Sequence, residues 1–239
     1  MDTITTMLTL GLIETALELV PKDLANHPAI VANAQLRNKP STQILLDERL
    51  HSKAFQNLPD AKKRGRPDIA HRSLLVALDS VLARAGLLKV FVHTYSGDII
   101  QIASETRLPR RIQRFVGLME QLLLTKRVPP QGSPLLQVVP GNLETYLKTL
   151  NPSRTVLLSE KGVPTSPLKL AETLLTETKP VVLVGGFAHG DPLSDLSDLV
   201  DQQVSFDPEQ LPVSTIVGML VHGMELASDL ITQRFTESD

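Results

Sequence analysis

The 239-residue chain contains no cysteine and no tryptophan. Without cysteine there are no disulfides, no thiolate metal ligands and no cysteine nucleophile, and no metal is expected. Two tyrosines and six phenylalanines are the only other aromatics, too few for recognition of nucleic acid by an array of stacked rings. Any contact with RNA therefore falls to arginine. No apolar run approaches the ~20 residues of a membrane span, and the first residues carry no basic region of a secretion signal. The expectation is a cytoplasmic protein with no membrane partner. The formal net charge is −2, with 42% hydrophobic and 21% charged residues. That is ordinary globular composition, so any strongly positive region is local.

One such region is present. Arg107, Arg110, Arg111 and Arg114 stand within eight positions without an acid among them. Pro109 fits the first turn of a helix, and Ile112, Phe115, Val116, Met119, Leu122 and Leu123 then repeat at helical spacing as one buried face. Cations at a helix start oppose the macrodipole, so an anionic partner is expected there. A solvated basic turn is the alternative. Arginine at all four positions favours the first reading, because the planar guanidinium suits bidentate phosphate contact.

The remaining pattern predicts a strand at 4–12, a short helix at 13–20, a helix at 29–36 and a buried strand at 43–46. A mobile basic loop is expected at 57–66. It leads into a helix beginning at Pro67, with Asp68 in the first turn and Gly86 as its carboxyl cap. Asp68 reads at minimum as a dipole partner and Arg66 as its salt-bridge mate, with His71 and Asp79 as structural polar residues. Strands at 87–93 and 99–103 form a hairpin around the turn Tyr95-Ser96-Gly97-Asp98. After a Pro/Gly loop at 128–133 comes a strand at 135–139, then a helix at 142–150, a strand at 155–159, a helix at 166–176 and a strand at 181–184. A last strand is expected at 204–206. The last helix, 214–231, carries Val217, Leu220, Val221, Met224 and Leu230 on one stripe. Strands alternating with helices predict an α/β fold with a mostly parallel sheet.

The strand at 181–184 runs into Gly185-Gly186-Phe187-Ala188-His189-Gly190-Asp191-Pro192. A glycine-rich turn after a parallel strand lies at the carboxyl edge of the sheet, where α/β proteins bind ligands. The spacing is neither a dinucleotide fingerprint nor a Walker loop, which disfavours a nicotinamide-dependent oxidoreductase. Residues 180–233 contain no lysine or arginine but several acids. A pocket there suits a cationic ligand better than a phosphate.

Two segments carry a resemblance. One is Arg66-Pro67-Asp68-Ile69-Ala70-His71 continuing into Leu74-Leu75-Val76-Ala77-Leu78-Asp79-Ser80. The other is Arg107-Leu108-Pro109-Arg110 continuing into Arg114-Phe115-Val116-Gly117-Leu118-Met119. With the glycine turn and Leu211-Pro212-Val213-Ser214, they make the chain resemble the SPOUT-class methyltransferases that modify N1 of a pseudouridine in small-subunit ribosomal RNA during ribosome biogenesis. The resemblance spans most of the chain as a single domain and is weakest over 30–64. It implies a carboxyl-terminal trefoil knot at about 154–239 and an RNA-binding extension at about 87–140. By the same resemblance S-adenosylmethionine is held by main-chain groups of Gly185, Gly186, Gly190, Ser205, Phe206, Leu211, Pro212 and Val213. Arg66, Arg107, Arg110 and Arg114 would hold a pseudouridine-containing stem-loop, and Asp68 would orient Arg66 at the catalytic centre. Asp68 as general base is a second choice, because a carboxylate paired with arginine is a poor proton acceptor. A homodimer is also implied. The competing reading is an RNA-binding ribosome-assembly factor without methylation, separated by whether the cofactor loops are intact.

Overall fold

The computed structural model describes residues 6–236. Eight strands form one sheet: β1 Leu8–Thr15, β2 Leu88–Thr94, β3 Ile99–Ile102, β4 Arg127–Val128, β5 Leu136–Val139, β6 Arg154–Pro164, β7 Pro180–Gly185 and β8 Gln202–Ser205. The helices are α1 Pro28–Leu36, α2 Glu48–His51, α3 Pro67–Asp79, α4 Val81–Arg84, α5 Ile112–Thr125, α6 Leu143–Leu150, α7 Pro167–Leu175, α8 Val213–Ala227 and α9 Leu230–Thr236. The strand order is β4-β5-β3-β2-β1-β7-β6-β8. From β2 to β8 every pairing is parallel, whereas β3, β5 and β4 add an antiparallel edge. The α/β expectation holds, with the parallel character confined to the β2–β8 side.

Alternation along the central strands separates two cores. Val182 and Val184 of β7 face one core, with residues of α3, α5, α7 and α8. Val181 and Leu183 face the other, with Phe91 and with Leu143 and Leu147 of α6. A third, smaller cluster of Val20, Ile30, Ile44, Leu46, Phe55 and Leu58 supports the segment between β1 and α3.

Several boundaries differ from the pattern-based reading. Residues 13–15 continue β1, and no helix forms over 13–20. The run is buried on both faces, and periodicity cannot distinguish a doubly buried strand from a helix. Residues 4 and 5 of the expected strand lie outside the described residues. The strand expected at 43–46 is a 3-10 turn, Ser41–Gln43, followed by a single bridge between Leu19 and Leu45. The helix at Pro67 stops at Asp79, where the extended backbone of Ser80 lets its Oγ accept from the Ala83 amide and begin α4. The arginine helix begins at Ile112, three residues beyond Pro109, so only Arg114 lies in its first turn. The expected last helix is divided into α8 and α9.

The stripe Val217, Leu220, Val221, Met224 and Leu230 is buried within this chain's own core. It offers no free face to a partner.

Candidate active site

The parallel strands reverse their order of addition between β1 and β7, with β2 on one side and β6 and β8 on the other. Ligand crevices in open α/β sheets form outside the carboxyl ends of strands at such a point. At this edge stand Glu14 and Thr15 of β1, Leu157 to Glu160 of β6 where its pairing with β7 ends at Leu158, the turn after β7, and Ser205 to Asp207 at and after the end of β8. A cavity at this edge is lined by Leu158, Glu160, Gly185, Phe187, Gly190, Asp191, Ser205, Phe206, Asp207, Glu209, Gln210, Leu211, Val213 and Ile216 among others. No lysine or arginine lines it, and four carboxylates do.

The structure therefore gathers Gly185, Gly190, Ser205, Phe206, Leu211 and Val213 around one space. Gly186 and Pro212 stand behind it. The Gly186 amide donates to the Ile13 carbonyl at 2.7 Å and its carbonyl accepts from Ala16 N at 3.0 Å. A Cβ at Gly186 would meet Thr15 Oγ1 at 2.3 Å, so only glycine lets the turn lie this close to β1. Pro212 caps the start of α8 and lines a neighbouring recess.

That recess is walled by Arg66, Ile69, Arg72, His189, Pro212 and Ser214, and shares Phe187, Gln210, Leu211 and Val213 with the first cavity. Arg66 is fixed from two directions. Its amide donates to the Ala16 carbonyl at 3.1 Å, one step from Gly186. Its guanidinium meets Asp68 in a fork, Nε to Oδ1 at 2.9 Å and an Nη to Oδ2 at 3.0 Å. Arg72 also donates to Asp68, one turn further along α3. Burial pushes the Asp68 carboxyl up, but the hydrogen bonds and charges of Arg66 and Arg72 outweigh it and hold its pKa at about 2. At neutral pH Asp68 is an anion held between two guanidinium groups, which suits an orienting role and makes it a weak base.

Arg107, Arg110, Arg111 and Arg114 do not line the recess, and of these Arg110 reaches α3. His71 Nε2 donates to the Pro109 carbonyl at 2.7 Å and its ring stacks on Phe115 at 4.6 Å. Arg110 pairs with Asp79 at 2.5 Å at the far end of α3. Thirteen helical residues cover about 20 Å, so Arg66 and Arg110 mark the two ends of a surface of about that length. Arg107 is exposed and donates to the Thr106 carbonyl at 3.0 Å. Arg111 and Arg114 are exposed and make no ion pair among the described residues. His71 and Asp79, expected to be structural, join the two sequence segments into one surface.

The basic loop at 57–66 is anchored. Lys63 and Arg64 are buried. Lys63 places its ammonium over the Phe187 ring and donates to the Asp191 carbonyl. Arg64 forms a fork with buried Glu18 at 2.7 and 2.8 Å and stacks on Tyr95. Nothing in the sequence separated these two cations from solvated neighbours. Glu14 was missed as well: buried at a positive φ of 46°, it accepts from the Leu193 and Ser194 amides at 2.6 and 2.8 Å, holding the loop beyond the glycine turn. A non-glycine residue at positive φ beside a ligand edge was its only possible signal, and backbone angles are not legible in sequence.

The carboxyl edge of the α/β sheet thus holds an acid-lined cavity that shares a wall with an arginine-bearing recess. The family model described as EMG1/NEP1 methyltransferase matches residues 11–225, and the chain belongs to this family. It is 41% identical over 221 residues to "Ribosomal RNA small subunit methyltransferase Nep1" of Staphylothermus marinus, covering 92% of this chain and 96% of that one. The protein of the same description from Thermococcus kodakarensis is 40% identical over 224 residues, covering 94% and 100%. Among solved structures, Archaeoglobus fulgidus Nep1 bound to S-adenosylhomocysteine superposes with a TM-score of 0.81 at 32% identity, covering 94% of this chain and 99% of that chain. Among the described residues no group of acids and histidines is arranged to hold a metal ion, and no helix is long and apolar enough to cross a membrane.

Proposed function

We propose that this chain transfers a methyl group from S-adenosylmethionine to N1 of a pseudouridine in small-subunit ribosomal RNA. One observation carries the reading: the cation-free, acid-lined cavity shares the wall Phe187, Gln210, Leu211 and Val213 with the recess that holds Arg66. The residues fit the cofactor. Carboxylates of Glu160, Asp207 and Glu209 suit its positive sulfonium and ammonium, and Leu158, Phe206, Leu211 and Ile216 offer apolar surface to a purine, while the Asp191 carboxylate is already paired with Lys161 at 2.5 Å. When bound, S-adenosylmethionine supplies the electrophilic methyl carbon. The chain's own contribution is positioning and electrostatics. In this reading Arg66, held by Asp68, meets a uracil carbonyl or a phosphate, and Arg107, Arg110 and Arg114 continue the contact along the RNA.

The reading includes a trefoil knot in the carboxyl-terminal region. Its support is the path of β6, which pairs with Val204 of β8 through Leu158 and again through Val163. Gly162 lies so close to the Val204 backbone that a Cβ would stand 2.3 Å from its carbonyl carbon. A homodimer in the cytoplasm is part of the same proposal. The exposed Leu226 and Phe235 of α8 and α9 are consistent with a covered face, and light scattering at twice the chain mass checks it. The whole reading is tested by incubating the protein with S-adenosylmethionine and small-subunit RNA and following methyl incorporation, which is expected and whose absence contradicts it.

A further inference from the structure

Methyl transfer to a ring N–H leaves a proton to be removed, and the arginine-bearing recess offers few acceptors. Its ionisable groups are Arg66, Arg72 and His189. The arginines remain protonated, and Asp68 is held as an anion by both of them with a pKa of about 2. His189 lies in the glycine turn at the same recess. Its ring is oriented by a third group. Gln210 Nε2 donates to the Ala188 carbonyl at 2.6 Å, which turns Gln210 Oε1 toward His189 Nδ1 at 3.3 Å. An amide oxygen only accepts, so Nδ1 carries the hydrogen and Nε2 keeps its lone pair. A base held by a hydrogen bond and fixed in tautomer by an oriented partner is the arrangement general-base catalysis requires.

We propose that His189 is the general base of the methyl transfer and that Gln210 is the residue that sets its tautomer, an inference resting on the function proposed above. As N1 bonds the methyl carbon, the carbon–sulfur pair stays on sulfur and gives a neutral thioether. The N1–H proton passes to His189 Nε2, and the electron pair of that bond returns to the ring nitrogen. His189 is exposed, so the imidazolium then releases its proton to water. The charged groups around it are Arg66 and Arg72 on the α3 side, Lys63 over Phe187, Asp191 in the same turn, and Asp207 and Glu209 in the loop of Gln210.

Two measurements test this. In the free protein, two-bond nitrogen–proton NMR correlations report the tautomer. Nδ1–H is expected in the wild type and a mixture in Gln210→Leu, while a predominant Nε2–H form in the wild type overturns the proposal. Second, single-turnover transfer at saturating RNA and cofactor is followed from pH 5 to 9. The wild-type rate is expected to fall on the acid side, as for a reaction that needs an unprotonated base. His189→Gln is expected to lose at least tenfold in rate at neutral pH and to lose the acid limb, within the range of general-base effects of about 10²- to 10⁴-fold. RNA and S-adenosylhomocysteine affinities should stay near wild type. A smaller loss, a retained acid limb, or a loss confined to affinity overturns the assignment. If the wild type itself transfers no methyl group, it is the proposed function that fails.

Discussion

The Lys63 ammonium stands 3.3 Å from the centroid of the Phe187 ring while its Nζ donates to the Asp191 carbonyl. A residue three positions before Arg66 thus braces the turn that lines the acid-lined cavity. Burial lowers the Lys63 pKa, opposed by Glu14 and Asp191, and a desolvated cation over a ring contributes up to about 2 kcal/mol. Lys63→Met keeps the stem and removes both interactions. The affinity for S-adenosylhomocysteine is expected to fall about tenfold, or about 1.4 kcal/mol, with the protein still folded. Calorimetry measures it, and unchanged affinity contradicts the bracing role.

Asp68→Asn preserves shape but removes the charge that holds Arg66 and Arg72. RNA affinity and methyl transfer are expected to fall together. If transfer vanished while RNA affinity held, Asp68 would be a base after all. The pH dependence has a definite sign. The folded-state pKa of about 2 lies below the ordinary 3.8, so the stabilisation from Asp68 is complete above about pH 4. It is lost as pH falls toward 2. Asp68 therefore adds no inflection to the activity profile between pH 5 and 9.

Arg110 is mostly exposed and paired to Asp79 at 2.5 Å, a surface pair worth little for stability. Arg110→Ala is expected to leave the melting temperature nearly unchanged. Its RNA affinity should weaken, and the slope of affinity against salt should flatten by roughly one unit or less. Equal salt slopes for variant and wild type would return the arginine cluster to a solvated basic turn.

Glu120 is fully buried on α5 and receives Arg37 through two bonds of 2.6 Å, Lys39 at 2.6 Å and the Leu45 amide at 3.0 Å. It fastens the segment between β1 and α3 to the arginine helix. Burial raises its pKa, but the Arg37, Lys39 and Leu45 bonds together lower it below 4.5. Its stabilisation is present above that value and fades as pH falls below it. Glu120→Gln is expected to cost about 2 kcal/mol, the scale of hydrogen bonds to a charged group. Urea unfolding at neutral pH checks this, and an unchanged midpoint contradicts it.

Much of the parallel half of the sheet was legible because buried strands alternating with amphipathic helices leave a strong pattern. The glycine turn and the Arg66-Pro67-Asp68 segment were legible because their residue types carry backbone and charge requirements. What stayed hidden depends on partners distant in sequence. Lys63 and Arg64 look like solvated loop cations until Phe187 and Glu18 are placed beside them. Glu120 looks like an ordinary helix acid until Arg37 and Lys39 arrive. The two-sided burial of 13–15 defeats periodicity, and the apolar stripe of α8 could be assigned to the chain's own core only once α3 and α7 were packed against it.

The central claim is methylation at N1 of pseudouridine, and two otherwise identical RNA stem-loops test it most directly. In pseudouridine N1 is a free ring N–H, whereas in uridine the same atom bears the ribose. The protein is incubated with labelled S-adenosylmethionine and each RNA, and the nucleosides are separated after digestion. The account predicts label in a single methylated nucleoside from the pseudouridine RNA and none from the uridine RNA. Equal labelling of both RNAs, or label in neither while both bind, would contradict it.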